Sequence, residues 1–245
     1  MSLTANFPFP LLLYYNSAGM KAPPSVCIMI AAYNEAPSIG RVIRDCQEQN
    51  IAHIIVIDDG SSDNTDEIAE RAGATVISLP LNCGKSAAIS TGLQYLISRV
   101  APPCIVVLMD ADGQHLAKDI PALVGPLLHS PSVDLVCGVR KLGKNTPLMN
   151  QLGRLVGDLT TCLHTGHFFP DSQCGFRAIR LRSFEGFEQE GSGYAIETQL
   201  LDFALKRRLG FVTAPVSNVY TAYSMKKAHK QGVLQGFKTL VSLLK

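Results

Sequence analysis

Residues 104–115 read Cys-Ile-Val-Val-Leu-Met-Asp-Ala-Asp-Gly-Gln-His. The apolar run 105–109 is rich in β-branched residues and too short for a helix of ordinary length. It therefore reads as a strand buried on both faces. The run stops abruptly at Asp110-Ala111-Asp112, at the carboxyl edge of a sheet, which is where open α/β sheets bind ligands. Two carboxylates at i and i+2 with open coordination positions suit a hard divalent cation that also holds a diphosphate. Gln114 and His115 follow in the same loop as further candidate ligands. On these residues alone a plainer alternative stays open, a strand ending in a solvated turn, since Asp and Gly are turn formers.

Upstream, the same unit recurs. Residues 26–32 (VCIMIAA) predict a first buried strand that ends in Tyr33-Asn34-Glu35. A helix over 37–49 follows, with Ile39, Val42, Ile43 and Cys46 on one face. Residues 53–57 predict a second strand, closed by Asp58-Asp59-Gly60-Ser61. A helix capped by Asn64 or Thr65 then runs through Arg71. A short third strand over 76–79 precedes Asn82-Cys83-Gly84-Lys85, which opens a helix to about residue 100. Four strand–helix alternations with short connections predict a parallel sheet, helices on both faces and right-handed crossovers. Three of the four strand ends carry polar or acidic clusters. Carboxylates gathered at one edge are costly unless a cation or a donor-rich ligand is expected there. No G-x-G-x-x-G follows the first strand, and Gly84-Lys85-Ser86 lacks the upstream glycine of a phosphate-cradling loop.

Downstream the pattern is less regular. It predicts a helix over 116–129, a strand over 134–139 leading to Arg140, and a basic stretch over 141–146. A helix over 148–164 follows, then a strand ending near Arg180. A helix over 194–208 carries Glu197 near its start, and a last strand covers 211–216. Residues 217–231 are basic and irregular. The segment 231–245 places Val233, Leu234, Phe237, Leu240, Val241 and Leu244 at helical spacing.

Bulk properties narrow the classes. The 245 residues carry a net charge of +2 and are 47% hydrophobic and 17% charged, which fits a globular protein and argues against a dedicated nucleic-acid binder. Seven cysteines are scattered without a Cys-x-x-Cys pair and read as small buried hydrophobes in a reduced protein, not as a disulfide frame or zinc site. No run reaches the ~18 uninterrupted apolar residues of a membrane span. Residues 1–24 read as a tail, 25–224 as one α/β domain and 225–245 as a basic amphipathic helix. Lysines around an apolar stripe suit a membrane surface, while packing on the domain or on a second copy in a homodimer suits the stripe equally.

The ordered set Tyr33-Asn34-Glu35, Asp58-Asp59-Gly60-Ser61, Asn82-x-Gly84-Lys85, Asp110-Ala111-Asp112-Gly113-Gln114-His115, Gly138-Val139-Arg140, Cys174-Gly175-Phe176-Arg177-Ala178, Pro215-Val216 and Tyr220…Ser224-x-Lys226 spans residues 26–226. It resembles family 2 glycosyltransferases of the GT-A fold, closest to the branch of dolichyl-phosphate mannose synthase and bacterial polyprenyl-phosphate sugar transferases. The resemblance implies a single Rossmann-like α/β domain and an inverting hexosyl transfer from a nucleoside-diphosphate sugar of GDP-mannose or UDP-glucose type to a polyprenyl phosphate. It implies that Ala31, Tyr33, Glu35, Asp58, Asp59, Lys85, Asp110, Ala111, Arg140 and Lys226 bind the donor and its phosphates. Asp110, Asp112 and Gln114 are the implied holders of Mg²⁺ or Mn²⁺, and Asp112, Arg177 and Glu197 the implied catalytic set. Arg140, Arg177 and Lys226 are cations suited to phosphates. Glu197 stays open between a helix N-terminal charge, a sugar ligand and a partner for Arg177. Where polyprenyl-phosphate transferases often carry Pro and Ser, this chain has Ala31 and Cys174.

The acceptor decides what chemistry is needed. A sugar hydroxyl requires a general base. A phosphate monoester, with a second pKa of about 6, is already mostly dianionic near neutrality and needs cations instead. The Arg and Lys inventory favours the phosphate acceptor. Transfer to a saccharide or other hydroxyl, or a silent nucleotide-sugar binding module, are the alternatives. Nucleotide-sugar use predicts a cytoplasmic location, and a bilayer-resident acceptor together with the basic 225–245 helix predicts a peripheral place on the inner face of a membrane.

Overall fold

The computed structural model describes residues 24–141, 148–189 and 195–219. The predicted 1–24 tail, the 225–245 helix and Lys226 lie outside the described residues. The elements run β1 (Ser25–Ala32), α1 (Ile39–Gln47), β2 (His53–Asp58), α2 (Thr65–Arg71), β3 (Thr75–Ser78), α3 (Lys85–Arg99), β4 (Cys104–Asp110), α4 (Ile120–His129), β5 (Leu135–Arg140), α5 (Leu148–Thr165), β6 (Arg177–Arg180), α6 (Ile196–Lys206) and β7 (Phe211–Val216). They build one seven-stranded sheet of order β3-β2-β1-β4-β6-β5-β7.

Period-two alternation explains the layers. Along β1, Val26, Ile28 and Ile30 face a core shared with α1, α4 and Ala69 of α2. Cys27 and Met29 face the opposite core, shared with α3 and α6. Ile28, Ile30, Val106 and Val107 are fully buried, each worth roughly 1.5–3 kcal/mol of apolar transfer. Such runs are continuous because both faces of the sheet are covered.

β1 lies between β2 and β4 and is parallel to both. Ala32 is opposite Asp58, and Ala31 is opposite Asp110. The three polar strand ends therefore converge at one edge, as the sequence predicts. The chain moves outward from β1 through β2 to β3, then returns to place β4 on the other side of β1, so the crevice lies at a topological switch point.

Three details differ from the sequence reading. β6 is antiparallel to both of its neighbours, β4 and β5. Four residues, Arg-Ala-Ile-Arg, carry no signal of strand direction. The α2 start is not capped by the Asn64 side chain; instead the carboxylate of Asp63 accepts the Thr65 amide at 3.1 Å. Residues 117–119 form a separate 3-10 turn ahead of α4, where Pro121 removes a donor that a helix start does not use. The cysteines are all free. Five are buried, Cys162 is half-buried and Cys83 is exposed; burial pushes the Cys27 and Cys46 thiols up to about 12.

Gly138 of β5 marks a close approach. Its amide donates to the Phe176 carbonyl at 2.9 Å, and a Cβ there would lie 2.6 Å from that same oxygen. Gly138→Ala is expected to push β5 off the 174–176 loop and cost about 1–3 kcal/mol, read as a lowered urea midpoint at unchanged slope.

Candidate active site

The loops after β1 and β2 knit together at the edge. Asn34 takes a left-handed conformation with φ 52, which Asn tolerates better than most residues. Its amide donates to Ser61 Oγ at 2.9 Å, and its side-chain oxygen accepts the Ser62 amide at 2.8 Å. The Glu35 amide donates to Thr65 Oγ1 at 2.8 Å, and the Ser38 hydroxyl donates to the Glu35 carboxylate at 3.1 Å. Tyr33 stands half-exposed at this rim, whereas Glu35, Asp58 and Asp59 are buried. Asp58 accepts the Ser61 amide and hydroxyl. Asp59 accepts the amides of Cys83 and Gly84, both at 2.8 Å, and so sets the entry to α3. These two carboxylates shape the loops around the crevice.

Lys85, the first residue of α3, is the centre of the crevice. Its ammonium lies 2.6 Å from Asp110 Oδ1 and 2.8 Å from Glu197 Oε1. Burial favours the neutral amine, but the two carboxylates outweigh it and raise the Lys85 pKa. Burial likewise acts to raise Asp110, and Lys85, His115 and Arg140 overcome it and hold the carboxyl far below the usual range. Folding brings Lys85 to Asp110 from 25 residues upstream. Glu197's carboxylate pairs with Lys85; the residue also stands in the first turn of α6, and Arg177 reaches its backbone carbonyl, not its carboxylate. His115 stacks on Phe176 with ring centroids 4.8 Å apart, and its Nδ1 accepts the Asp110 amide at 3.2 Å. Burial drives its pKa down.

Asp112 is treated differently. Burial and the adjacent charge of Asp110 raise its pKa. Its carboxylate accepts the backbone amide of Gln114 at 3.0 Å and the side-chain amide at 2.7 Å. The ion pairs of Lys85 go to Asp110 and Glu197, and among the described residues no ammonium is paired with Asp112. Such a carboxylate fits a divalent cation. Among the described residues, no closed group of three or more His, Cys, Asp or Glu gathers around a metal position. That fits an ion held by one or two carboxylates with the remaining ligands supplied by phosphate and water. Gln114, a predicted metal ligand, points its amide at Asp112 and orients it. The Gly175 backbone closes the other side, where a Cβ would lie 2.9 Å from Asp110 Oδ2 and 3.0 Å from Lys85 Nζ.

Arg177 departs from its predicted role. It is 1% exposed. Its Nε, Nη1 and Nη2 donate to the carbonyls of Cys174 (2.9 Å), Glu197 (2.7 Å) and Ser172 (2.5 Å). It is a positioning residue that fastens the 172–174 loop to the start of α6, and its fork is occupied by backbone carbonyls. Arg140 is paired with Asp171, Nη2 to Oδ1 at 2.6 Å and Nε to Oδ2 at 2.9 Å. Burial would raise Asp171, but the bonds from Arg140 lower it. Its charge still reaches Asp110.

Sequence reasoning missed the supports of this site. Asp158 accepts the amides of Asp171 (3.1 Å) and Ser172 (2.6 Å), and Arg154 donates to the Arg140 carbonyl at 3.0 Å. Partners 13 to 31 residues apart carry no local signal. Arg177→Lys is expected to lower stability by about 3 kcal/mol, because a single ammonium cannot reach three carbonyls from separate segments. Urea denaturation without ligand reads this; an unchanged midpoint would return Arg177 to a ligand-facing role.

The glycosyl transferase family 2 profile matches residues 27–187. The chain is 32% identical over 225 residues to the uncharacterized protein MJ1222 of Methanocaldococcus jannaschii, covering 89% of this chain and 90% of that one. It is 32% identical over 242 residues to a UDP-N-acetylglucosamine–dolichyl-phosphate N-acetylglucosaminyltransferase of Methanococcus voltae, covering 89% and 94%. Among solved structures, glucosyl-3-phosphoglycerate synthase of Mycobacterium tuberculosis in complex with Mn²⁺ and UDP-glucose superposes with a TM-score of 0.66 at 21% identity, over 96% of this chain and 82% of that one. The last likeness speaks for the GT-A fold. The converging strand ends, the Asp110–Asp112 pair and these matches agree: the chain belongs to glycosyl transferase family 2 and is a glycosyltransferase.

Proposed function

We propose that this enzyme transfers a hexose-type sugar from a nucleoside diphosphate to a polyprenyl phosphate, with inversion. The observation that carries the reading is the Lys85–Glu197 pair. Glu197 stands at the start of α6, where a general base for a hydroxyl acceptor would be sought, and its carboxylate is held by an ammonium at 2.8 Å. An acceptor that arrives already ionised needs no such base. The relative from Methanococcus voltae is named for a dolichyl-phosphate acceptor, which supports the same class. Nucleotide-sugar donors put the reaction on the cytoplasmic side.

In this reading the Tyr33–Glu35 and Asp58–Ser61 loops hold the nucleoside. Asp112 and Asp110 would hold Mg²⁺ or Mn²⁺, which when bound offsets the charge of the leaving diphosphate. Lys85 fixes the orientation of Asp110, and Gln114 that of Asp112. The acceptor phosphate oxygen forms a bond to the anomeric carbon as the bond from that carbon to the diphosphate oxygen breaks. No second nucleophile is required, and the anomeric configuration inverts.

Three expectations follow from this chemistry. Asp112→Asn should weaken Mn²⁺-dependent binding of the nucleoside diphosphate at least about tenfold while leaving the circular dichroism melt in place. Titration calorimetry giving equal affinity in EDTA would contradict the metal assignment. With dolichyl or undecaprenyl phosphate in detergent, sugar should pass into the organic phase and proton NMR should show a β-linkage from an α-linked donor. Glu197→Gln should cost far less than the ~10²–10⁴ lost with a general base. Transfer onto a hydroxyl acceptor alone, with a loss of that size, would favour the saccharide reading.

A further inference from the structure

Lys85 has two fixed supports and one exchangeable partner. Its backbone is set by Asp59, whose carboxylate accepts the amides of Cys83 and Gly84 at 2.8 Å each. Its ammonium is set by Glu197 at 2.8 Å. Glu197 is a firm anchor: it is buried, it stands in the first turn of α6, and its carbonyl accepts Arg177 Nη1 at 2.7 Å. The exchangeable partner is Asp110, whose Oδ1 lies 2.6 Å from the same ammonium. That contact has a competitor, because Asp110 and Asp112 are the carboxylates that fit a divalent cation. The other oxygen of Asp110, Oδ2, faces His115 Nε2 at 3.8 Å and the backbone of Gly175, where a Cβ would lie 2.9 Å away. Oδ1 is therefore the oxygen whose cover can be withdrawn, since a four-carbon lysine stem is flexible and a packed backbone is not. The Lys85 side chain is 40% exposed, so a phosphate oxygen can reach its ammonium from the crevice.

We infer that Lys85 and the divalent cation are alternative counter-ions of Asp110, and that Glu197 holds the displaced ammonium in the crevice for the donor diphosphate. A dication on that carboxylate and an ammonium 2.6 Å from its Oδ1 repel each other. The ammonium keeps one partner when it gives way, because Glu197 stands outside the Asp110–Asp112 pair. The diphosphate then supplies a second, and a lysine serves phosphate as a point charge. Until the exchange, Lys85 keeps Asp110 paired and ordered for the cation that replaces it. The consequence is a coupling between two ligands. The cation alone must break an ion pair, whereas cation and diphosphate together break one and regain one. Each ligand therefore strengthens the other by the same factor, beyond what a metal bridge between carboxylates and phosphate provides. Lys85 touches the donor in this scheme, and Glu197 acts through it as a positioning residue. The inference rests on the reading of Asp110 and Asp112 as holders of a metal and its diphosphate.

The test is binding to the full chain without turnover. Electron paramagnetic resonance follows free Mn²⁺ in the absence of nucleotide, and calorimetry follows UDP and GDP, each at saturating Mn²⁺. Lys85→Met should tighten Mn²⁺ and weaken the better-bound nucleoside diphosphate, each by about fivefold, the size of one partly exposed ion pair. Mn²⁺ binding that is unchanged or weaker in this variant overturns the inference and leaves the ammonium a fixed support of Asp110. So does tighter Mn²⁺ with the diphosphate affinity unmoved. Glu197→Gln separates the exchange from a general charge effect, and it carries the decision if Lys85→Met does not fold. With the anchor gone, both Mn²⁺ and the diphosphate should bind about fivefold more weakly. Removing a negative charge by itself would tighten the diphosphate, and that result overturns the inference. In the unsubstituted chain, equal diphosphate affinity with Mn²⁺ and with EDTA would sink the metal assignment itself. Metal-dependent affinity that neither substitution moves would sink the exchange alone.

Discussion

A single ammonium group links the two halves of this enzyme at the crevice. Lys85 begins α3 in the regular first half, and its charge is shared by Asp110 at the end of β4 and Glu197 at the start of α6, 112 residues further on. Lys85 and Asp110 keep part of their surface in water, at 40% and 31% side-chain exposure, while Glu197 is buried. The ammonium therefore serves geometry more than stability. It sets the carboxylate of Asp110 and the position of α6 against the same crevice.

A second layer of fasteners stands behind it. Arg177 ties three backbone carbonyls, Asp171 grips Arg140, and Asp158 grips the 171–172 amides. Each takes a segment without regular structure and fixes it by charge-assisted bonds, which are stronger than neutral ones. The 171–175 loop can thus bring glycine backbone against Asp110 without a helix or strand of its own. Rigid support behind a ligand-facing shell is what positions carboxylates for a charged substrate.

Much of the sheet was legible in the sequence because both of its faces are buried, which leaves β-branched runs bounded by acidic turns. Asp110 and Asp112 were legible for the same reason: an abrupt change from Met109 to carboxylate marks a strand end. The direction of β6 was not, since Arg177–Arg180 is too short and its partners lie about 70 residues upstream in β4 and 40 in β5. Arg177 misled because an arginine beside a glycine motif reads as a phosphate ligand, and only tertiary structure shows three carbonyls around it.

The antiparallel insertion of β6 also governs the order in which the sheet can close during synthesis. β3, β2, β1 and β4 pair among themselves within residues 25–110. The far side of β4 waits for residues 177–180, and only β6 links it to β5 and β7. Until those four residues leave the ribosome, a nascent chain carries β4 as a long, apolar, unpaired edge, the kind of strand that recruits other chains. The short strand that completes the site is therefore also the stopper that ends the interval of greatest exposure to aggregation.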